Sequence, residues 1–189
     1  MDIILIRHGE SEDNIKRVLS TDETPLTKKG EMQIERIKPL VAELDFKDVY
    51  ISPLKRTIMT SEILEINGSL ENRVREIDFG IFKGLGYEEF MKVYPEEGKK
   101  WVSDIKNYQI PNGESLKMTY QRVVDFLEEI INIGENSLVI THEGIIKLAF
   151  SWVFDSDEYF NKFMASNGSV NIISIDKDYK FIKKLNARG

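Results

Sequence analysis

The sequence contains no cysteine, so disulfide bonds and thiolate metal ligands are excluded. Histidine is almost as scarce, with two residues in the chain, which leaves few ligands for a zinc site. Basic residues are fewer than acidic ones, and the net charge is −6. Proteins that bind nucleic acids or acidic membranes normally present a basic surface. We therefore expect neither nucleic acid nor a membrane as a partner.

Long apolar runs are missing as well. The most apolar later stretch, residues 144–154, is too short to cross a bilayer and contains Lys147. The amino terminus enters a predicted strand without a basic segment followed by an apolar one, so no signal peptide is expected. These absences favour a cytoplasmic protein. A length of 189 residues predicts a single domain, 1–189, with a full hydrophobic core.

The densest signal lies at the start of the chain, in residues 3–9, IILIRHG. Four aliphatic residues predict a short strand buried on both faces, as in a parallel sheet. Arg7, His8 and Gly9 follow where that strand would end, at the edge where ligands of open α/β sheets bind. An arginine fork, an imidazole and a glycine that lets the backbone turn suit a bound phosphate. A surface turn that happens to contain Arg and His explains these three residues equally well.

Strands alternate with helices along the chain, which predicts an α/β fold, a three-layer αβα sandwich with a mostly parallel sheet. The other predicted strands are residues 48–51, 74–77, 137–141, 170–175 and 179–185, the last two forming a hairpin that turns at Lys177 and Asp178. Helices are predicted to begin at Thr27, at Ser52 followed by Pro53, and at Ser115, and the second to end near residues 67–68.

Residues 79–112 differ in composition from the rest of the chain, because glycines are interleaved with aromatic residues. They predict an excursion of short helices over the edge of the sheet. Tyr87, Phe90 and Trp101 are candidates to pack against the organic part of a ligand. Aromatic packing in a satellite core is the alternative.

Both histidines follow predicted buried strands, His8 after residues 3–6 and His142 after residues 137–141. Because parallel strands end at the same edge of a sheet, the two imidazoles can meet although they are far apart in sequence. Arg56, one turn into a predicted helix, can reach the same edge. Zinc is the rival use of paired histidines, but no third ligand stands at metal spacing, so no metal is expected.

Four motifs now indicate a family. They are RHGESEDN at residues 7–14, SPLKRT at 52–57, REIDFG at 75–80 and THEG at 141–144. In this order, along essentially the whole chain, they resemble the histidine phosphatase superfamily, branch 1, which is phosphoglycerate mutase-like. The resemblance implies a phosphoglycerate mutase-like fold and a phosphoric monoester hydrolase of the histidine acid phosphatase type, without cofactor or metal.

The resemblance also implies roles for two residues at the reacting bond. His8 matches the nucleophile that becomes a transient phosphohistidine. Glu76 matches the acid that protonates the leaving oxygen and then accepts a proton from water, with Asp78 as the competing carboxylate. Phosphoryl transfer needs such a nucleophile, neutralisation of the phosphoryl oxygens and help for the leaving group.

The groups around the phosphoryl oxygens follow by the same resemblance. Arg7, Arg56 and His142 are expected to contact these oxygens, and Asn14 to add a side-chain hydrogen bond. We expect His8 to be neutral at its attacking nitrogen and His142 to act best when protonated, which are opposite demands on two neighbouring histidines.

Further positions are assigned to substrate binding, with local structural roles as the alternative. Ser20 and Thr21 stand where relatives often carry a glutamine–glycine pair, and Tyr87 lies in the excursion that is expected to form the substrate-facing wall. Glu143 stands where many relatives have a small residue. Its carboxylate beside His142 is expected to raise the affinity of that imidazole for a proton.

The chain is short for a cofactor-dependent phosphoglycerate mutase, which carries an added segment that keeps water away, so hydrolysis is favoured. Residues 75–115 are similar to alpha-ribazole phosphatases of cobalamin assembly and to broad-specificity phosphatases. The expected function is a metal-independent phosphomonoesterase for a small organic phosphate ester, with alpha-ribazole 5'-phosphate as the named candidate. Phosphoglycerate mutase or sugar bisphosphatase activity, or a catalytically idle phospho-ligand binding domain, are the alternatives. The oligomeric state stays open, with a homodimer as one option.

Overall fold

The computed structural model describes residues 1–177 and 179–189. Its strands are β1 (Asp2–Arg7), β2 (Asp48–Ile51), β3 (Ser69–Leu70), β4 (Ser137–Thr141), β5 (Val170–Asp176) and β6 (Tyr179–Ala187). Across the described residues they form a six-stranded sheet in the order β3-β2-β4-β1-β5-β6. β5 is antiparallel to both of its neighbours, and the remaining pairs are parallel. The prediction of a mostly parallel sheet is confirmed.

The helices in chain order are α1 (Glu12–Lys16), α2 (Lys28–Ala42), α3 (Lys55–Leu64), α4 (Tyr87–Val93), α5 (Pro95–Ser103), α6 (Leu116–Ile133) and α7 (Glu143–Val153). Short 3-10 turns occur at Asn72–Val74, Gly80–Phe82 and Asp157–Lys162. None of the described helices is both long enough and apolar enough to cross a membrane.

The helices cover both faces of the sheet, because the side chains of β1 alternate between two apolar clusters. Ile4 and Ile6 pack with α2 and α3 on one face, whereas Ile3 and Leu5 pack with α6 and α7 on the other. Each of these fully buried aliphatic side chains contributes roughly 1.5–3 kcal/mol to folding. The predicted three-layer αβα sandwich is therefore confirmed.

Two predicted helix caps are confirmed. The Thr27 hydroxyl accepts a hydrogen bond from the Gly30 N–H at 3.0 Å and begins α2. The Ser115 hydroxyl accepts one from the Met118 N–H at 3.2 Å and begins α6. Both satisfy an N–H that the helix itself leaves unpaired.

The predicted start of α3 at Ser52 is wrong. The helix begins at Lys55 after Leu54, which provides no side-chain cap, and the Ser52 hydroxyl instead contacts His142. The helix also ends before residues 67–68, because Glu65 adopts a left-handed conformation with φ of 58°.

The predicted strand at residues 74–77 is also wrong. The third strand lies earlier, at Ser69–Leu70, and residues 75–79 carry no regular structure. Side chains take the backbone carbonyls that a sheet ladder would otherwise use. Thr141 donates to the Val74 carbonyl at 2.7 Å, and Arg122 donates to the Glu76 carbonyl at 3.2 Å.

Residues 79–112 form the predicted excursion of short helices. Phe82, Phe90 and Ile110 are buried in a small apolar cluster of their own, against which Trp101 packs. The satellite-core alternative is therefore correct for Phe90 and Trp101. Tyr87 differs, because it is 60% exposed.

β5 and β6 form the predicted closing hairpin. The predicted turn includes Lys177, which has a left-handed φ of 54°, and Asp178, which lies outside the described residues.

Candidate active site

The two histidines meet at the carboxyl end of the sheet, as predicted. β1 and β4 are parallel neighbours with Arg7 opposite Thr141, so His8 and His142 leave adjacent strands side by side. Their ring centroids are 5.2 Å apart, and both side chains are buried. The His8 N–H donates to the Thr141 carbonyl at 3.1 Å, which ties the two strand ends together.

The hydrogen bonds of His8 define its tautomer. Its Nδ1 lies 2.6 Å from the Gly9 carbonyl, which can only accept, so Nδ1 carries the proton. Nε2 then carries the lone pair of the ring, which accepts a hydrogen bond from Arg56 Nε at 3.3 Å. Burial, reinforced by the charges of Arg56 and Arg7, holds the pKa of His8 well below its usual range. His8 is therefore neutral at the nitrogen that faces the arginine, as expected.

Gly9 allows two backbone segments to pack closely and does not provide an unusual backbone angle. A Cβ at this position would collide with the backbone of Gly30 at the start of α2. Gly9 is not among the residues with positive φ. The glycine thus lets α2 approach the end of β1, which corrects the expectation of a turn.

His142 is held from its other side. Its Nε2 is 2.7 Å from the Ser52 hydroxyl, whereas its buried Nδ1 has no hydrogen-bond partner within the described residues. Burial, together with the charge of Arg56, lowers the pKa of His142 well below its usual range. Four neighbours, Arg56, His8, Arg7 and Arg122, add to the effect of burial, so His142 is neutral in the ligand-free site. The expectation that His142 acts best when protonated concerns the complex with a ligand and stays a prediction.

Arg7 has an unsatisfied donor. Its Nη1 donates to the Ala165 carbonyl and forms an ion pair with Glu143 Oε2 at 3.0 Å. Its buried Nε has no partner among residues 1–177 and 179–189. An unpaired buried donor is costly, and an anionic ligand would satisfy this N–H.

Arg56 enters the site from the first turn of α3. It is 1% exposed, and burial lowers its pKa although Glu76 and other carboxylates oppose that effect. Its Nη1 donates to the Thr21 carbonyl at 2.7 Å, which fixes the guanidinium beside His8. A guanidinium placed in this way can make forked contacts with an oxyanion.

Glu76 is the carboxylate that faces the arginines. Its charge acts on both Arg7 and Arg56, and its Oε2 accepts a hydrogen bond from the Gly144 N–H at 3.4 Å. A Cβ at position 144 would collide with Glu76 Oε1, so any other residue there would displace this carboxylate. A cleft of about 260 Å³ opens beside Glu76. Glu76 thus lines an open cleft, and its charge acts on both arginines.

Asp78, the competing carboxylate, forms its contacts within the loop that carries it and with a nearby lysine. It accepts a hydrogen bond from the Gly80 N–H at 2.9 Å and pairs with Lys83 at 3.1 Å. These contacts favour Glu76 over Asp78 as the acid.

Asn14 is linked to the backbone of His8 through the side chain of Asn167. Its Oδ1 accepts from the Ser11 N–H at 3.0 Å, which caps α1, and from Asn167 Nδ2 at 3.0 Å. Asn167 also donates to the Gly9 carbonyl at 3.3 Å. The amide oxygen of Asn14 is therefore structural, and its NH2 group is the part that remains for a ligand.

Of the two candidates in the next loop, only Thr21 is linked to the site. Its carbonyl receives Arg56, and its hydroxyl bonds with Thr24 at 2.7 Å. No side-chain hydrogen bond of Ser20 occurs within the described part of the chain, where Ser20 is half-buried.

Glu143 and Tyr87 differ from expectation in their partners. Glu143 pairs with Arg7, and its charge is not a cause of the altered pKa of His142. The expectation that it raises the proton affinity of that imidazole is therefore wrong. Tyr87 packs edge-on against Phe90, with ring centroids 5.3 Å apart, on the exposed side of the excursion. No contact in the described residues joins it to His8.

Four site residues were missed from the sequence: Ser52, Arg122, Ala165 and Asn167. The SPLKRT motif contains Ser52, but a serine before a proline is typical of a helix start, and this local pattern does not indicate a contact with His142. The other three act from distant segments, and nothing in their local sequence marks them.

The part of the chain that the structure describes contains no set of side chains arranged to bind a metal ion. No group of three or more His, Cys, Asp or Glu side chains there is placed to hold an ion. The paired histidines are surrounded by arginines instead.

Comparisons with known proteins agree on one family. The model of the histidine phosphatase superfamily (branch 1) matches residues 3–188. Phosphoserine phosphatase 1 of Hydrogenobacter thermophilus is 32% identical over 192 residues, covering 97% of this chain and 91% of that protein. The 6-phosphofructo-2-kinase/fructose-2,6-bisphosphatase 3 of Homo sapiens is 35% identical over 158 residues, covering 81% of this chain but 29% of that longer protein.

The fold comparison gives the same result. The alpha-ribazole phosphatase from Shigella flexneri superposes with a TM-score of 0.91 at 26% identity, covering 99% of this chain and 96% of that chain. The expected phosphoglycerate mutase-like fold is confirmed.

Proposed function

Because this chain belongs to the histidine phosphatase superfamily, branch 1, we propose that it is a metal-independent phosphomonoesterase that acts on a small organic phosphate through a phosphohistidine at His8. The observation that carries the proposal is the tautomer of His8. Its Nδ1 donates to the Gly9 carbonyl, which leaves the Nε2 lone pair directed at Arg56. A neutral imidazole beside a guanidinium is the arrangement that an attacking nitrogen next to a phosphoryl group requires.

In the first step, the phosphoryl group lies between His8 and Glu76. The His8 Nε2 lone pair forms the bond to phosphorus while the bond from phosphorus to the ester oxygen breaks. The leaving oxygen takes its proton from the Glu76 carboxyl group. Arg7 and Arg56 neutralise the equatorial oxygens, and the unpaired Arg7 Nε supplies a further donor, as does His142 Nδ1 once the imidazole is protonated.

In the second step, water takes the place of the alcohol. Glu76 removes one proton from it, and the oxygen attacks phosphorus as the bond to His8 Nε2 breaks. Inorganic phosphate leaves, and His8 and Glu76 return to their starting protonation states.

Alpha-ribazole 5'-phosphate remains the named candidate substrate, supported by the structural similarity to an alpha-ribazole phosphatase. O-phospho-L-serine is the second candidate, supported by the similarity along most of both chains to a phosphoserine phosphatase. The partner that we propose is accordingly a small-molecule phosphate ester.

The test is phosphate release in EDTA from these two esters, 3-phosphoglycerate, fructose 2,6-bisphosphate and p-nitrophenyl phosphate, with His8→Ala as the blank. Alkaline quenching during turnover should trap one phosphoryl group on His8, because phosphohistidine survives base. Arg122→Met, which leaves His8 in place, should still form the adduct.

Three other outcomes would overturn the proposal. Conversion of 3-phosphoglycerate to its isomer without phosphate release would indicate a mutase. Activity that vanishes in EDTA would indicate a metal enzyme. Ligand binding with neither release nor adduct would indicate an idle binding domain.

A further inference from the structure

Lys147 lies one turn after Glu143 on α7, in a position that no step of the proposed reaction uses. Lysine side chains on a helix lean toward its amino terminus, which on α7 is the end that carries His142. The Lys147 ammonium lies 4.0 Å above the ring of Phe160, and the side chain is half-buried. The ammonium is therefore directed toward the end of α7 at which His142 and Glu143 lie.

This cation lacks an anionic partner. Within residues 1–177 and 179–189, no carboxylate lies within 4.0 Å of the Lys147 ammonium and no hydrogen-bond acceptor contacts it. Two other lysines near the 3-10 turn at Asp157–Lys162 are paired, Lys106 with Asp157 and Lys180 with Asp155. Half-buried charges are normally compensated, so an unpaired one near an anion site has room for a ligand.

The charge of Lys147 also reaches the catalytic groups. Burial lowers its pKa, the charges of Glu143 and Glu76 raise it, and Arg7 lowers it. Lys147 is therefore within electrostatic reach of residues on both sides of the phosphoryl position.

We propose that Lys147 binds a carboxylate carried by the organic part of the substrate, so that the enzyme selects phosphorylated hydroxy or amino acids. This inference rests on the proposed function and narrows its substrate class. A single ammonium suits one monoanionic group, and the neighbouring carboxylate of Glu143 would repel a second phosphate dianion more strongly than a carboxylate.

Three esters that differ by one group test the inference. O-phospho-L-serine carries a carboxylate and an ammonium, 3-phosphoglycerate keeps the carboxylate and replaces the ammonium by a hydroxyl, and phosphoethanolamine lacks the carboxylate. We expect the wild-type kcat/KM to be higher for the two carboxylates than for phosphoethanolamine. In Lys147→Met, kcat/KM for the carboxylates should fall by about tenfold or more, mainly through KM. Values for phosphoethanolamine and p-nitrophenyl phosphate should stay within about twofold.

Lys162→Met is the matched control, because it removes the same charge from an exposed position of the adjacent 3-10 turn. It should behave as the wild type. Lys147→Arg should recover most of the activity toward the carboxylates, and the Tm of each variant separates a loss of binding from a loss of folding. Equal losses for all four esters, or no loss for the carboxylates, would overturn the inference.

Binding to the His8→Ala variant separates this inference from the proposed function. Calorimetry should show tighter binding of O-phospho-L-serine than of phosphoethanolamine, and the difference should disappear in His8→Ala/Lys147→Met. A persistent difference, or none in His8→Ala, would overturn the subsite whether or not the wild type is a phosphatase. Absence of phosphate release from every ester would overturn the proposed function alone.

Discussion

His142 shows how a buried imidazole can couple ligand binding to proton uptake. Its Nδ1 has no partner in the described residues, and burial together with the charge of Arg56 keeps its pKa low. A bound dianion would offset that charge and supply an acceptor for Nδ1. We therefore expect sulfate, which stays a dianion at neutral pH, to bind with uptake of about one proton, since an opposite charge raises a histidine pKa.

Calorimetry in two buffers of different ionisation enthalpy measures that uptake. His142→Gln should bind sulfate more weakly and without proton uptake. Glu76→Gln is the control, because Glu76 is the other group near the anion that could gain a proton, and it should leave the uptake unchanged. Sulfate binding without proton uptake in the wild type would show that His142 stays neutral in the complex.

Glu143 places a negative charge where the proposed reaction binds another. Its carboxylate pairs with Arg7 at 3.0 Å and is one-third exposed. Glu143→Gln should therefore raise the affinity for inorganic phosphate by about threefold to tenfold, because it releases one arm of Arg7 and removes a repulsion that solvent partly screens. Equilibrium binding at low and high salt measures this gain, which should shrink as salt increases. Weaker binding would mean that Glu143 orients Arg7 instead of competing for it.

Single residues were predictable where chemistry and motif agreed. His8, Arg7, Arg56 and His142 were placed from their strand ends and from the resemblance, and the structure brings them together. Ser52 shows the limit. A serine before a proline satisfies the local rule for a helix start, but the hydroxyl contacts an imidazole from a strand 90 residues away. Local patterns carry no information on such partners.

At the scale of elements, Arg122 on α6 holds the irregular segment that carries Glu76. It donates to the Arg73 carbonyl at 2.6 Å and the Glu76 carbonyl at 3.2 Å, and it forms a forked pair with Glu114 at 2.7 and 2.8 Å. Glu114 in turn accepts from the Asp78 N–H at 3.0 Å. Without a ladder of strand hydrogen bonds, these side chains fix the backbone around the proposed acid.

Arg122→Met should therefore slow the esters that need a proton on their leaving group. General acid catalysis contributes about 10²–10⁴-fold, and misplacing the acid should cost about tenfold in kcat for alkyl phosphates. p-Nitrophenyl phosphate should be nearly unaffected, because p-nitrophenolate leaves without a proton. The ratio of the two rates measures the position of the acid rather than the overall stability.

Arg73→Met is the control for that prediction. Arg73 lies on the same segment but pairs outward with Glu71 and Glu129 at 2.7 Å each. It should leave the ratio of alkyl to nitrophenyl rates unchanged. An equal loss for both esters in Arg122→Met would mean that Arg122 supports the fold without positioning Glu76.

Elements with a strong period were predictable, and residues 74–77 were not. α6 carries an apolar face and a serine cap, and both signals agree with its structure. Residues 74–77 begin with Val74 and end with Ile77, and β-branched residues of this kind are enriched in strands. Their carbonyls are instead taken by Thr141 and Arg122, two side chains from separate elements. Tertiary hydrogen bonds override the local pattern there.

At the scale of the whole molecule, the strand order explains why distant motifs form one site. β1 lies between β4 and β5, and β4 lies between β1 and β2. The ends of β1, β2 and β4 thus deliver His8, Ser52 and His142 to one edge of the sheet. Parallel topology was predictable from alternating strands and helices, but the segment with Ala165 and Asn167 that closes over Arg7 and Gly9 was not.

The same burial makes the stability of the molecule depend on pH. His8 and His142 have pKa values well below the ordinary value of 6.5, chiefly because they are buried. In the unfolded chain both bind protons near that value, so the unfolded state takes up more protons than the folded state as the pH falls through it. The free energy of unfolding is therefore fully present above about pH 6.5 and decreases below it.

We expect a loss of about 2 kcal/mol for the two histidines together between about pH 6.5 and 5.5, measured by urea unfolding at each pH. Carboxylates with lowered pKa values, such as Glu71 and Glu114, lose their contribution only at lower pH, so this window isolates the histidines. The variant His8→Asn/His142→Asn should have a nearly flat profile across it, and His8→Asn alone should remove about half of the slope. An unchanged profile in the double variant would mean that other groups titrate in this range, and that burial does not hold the two histidines neutral in the folded, ligand-free protein.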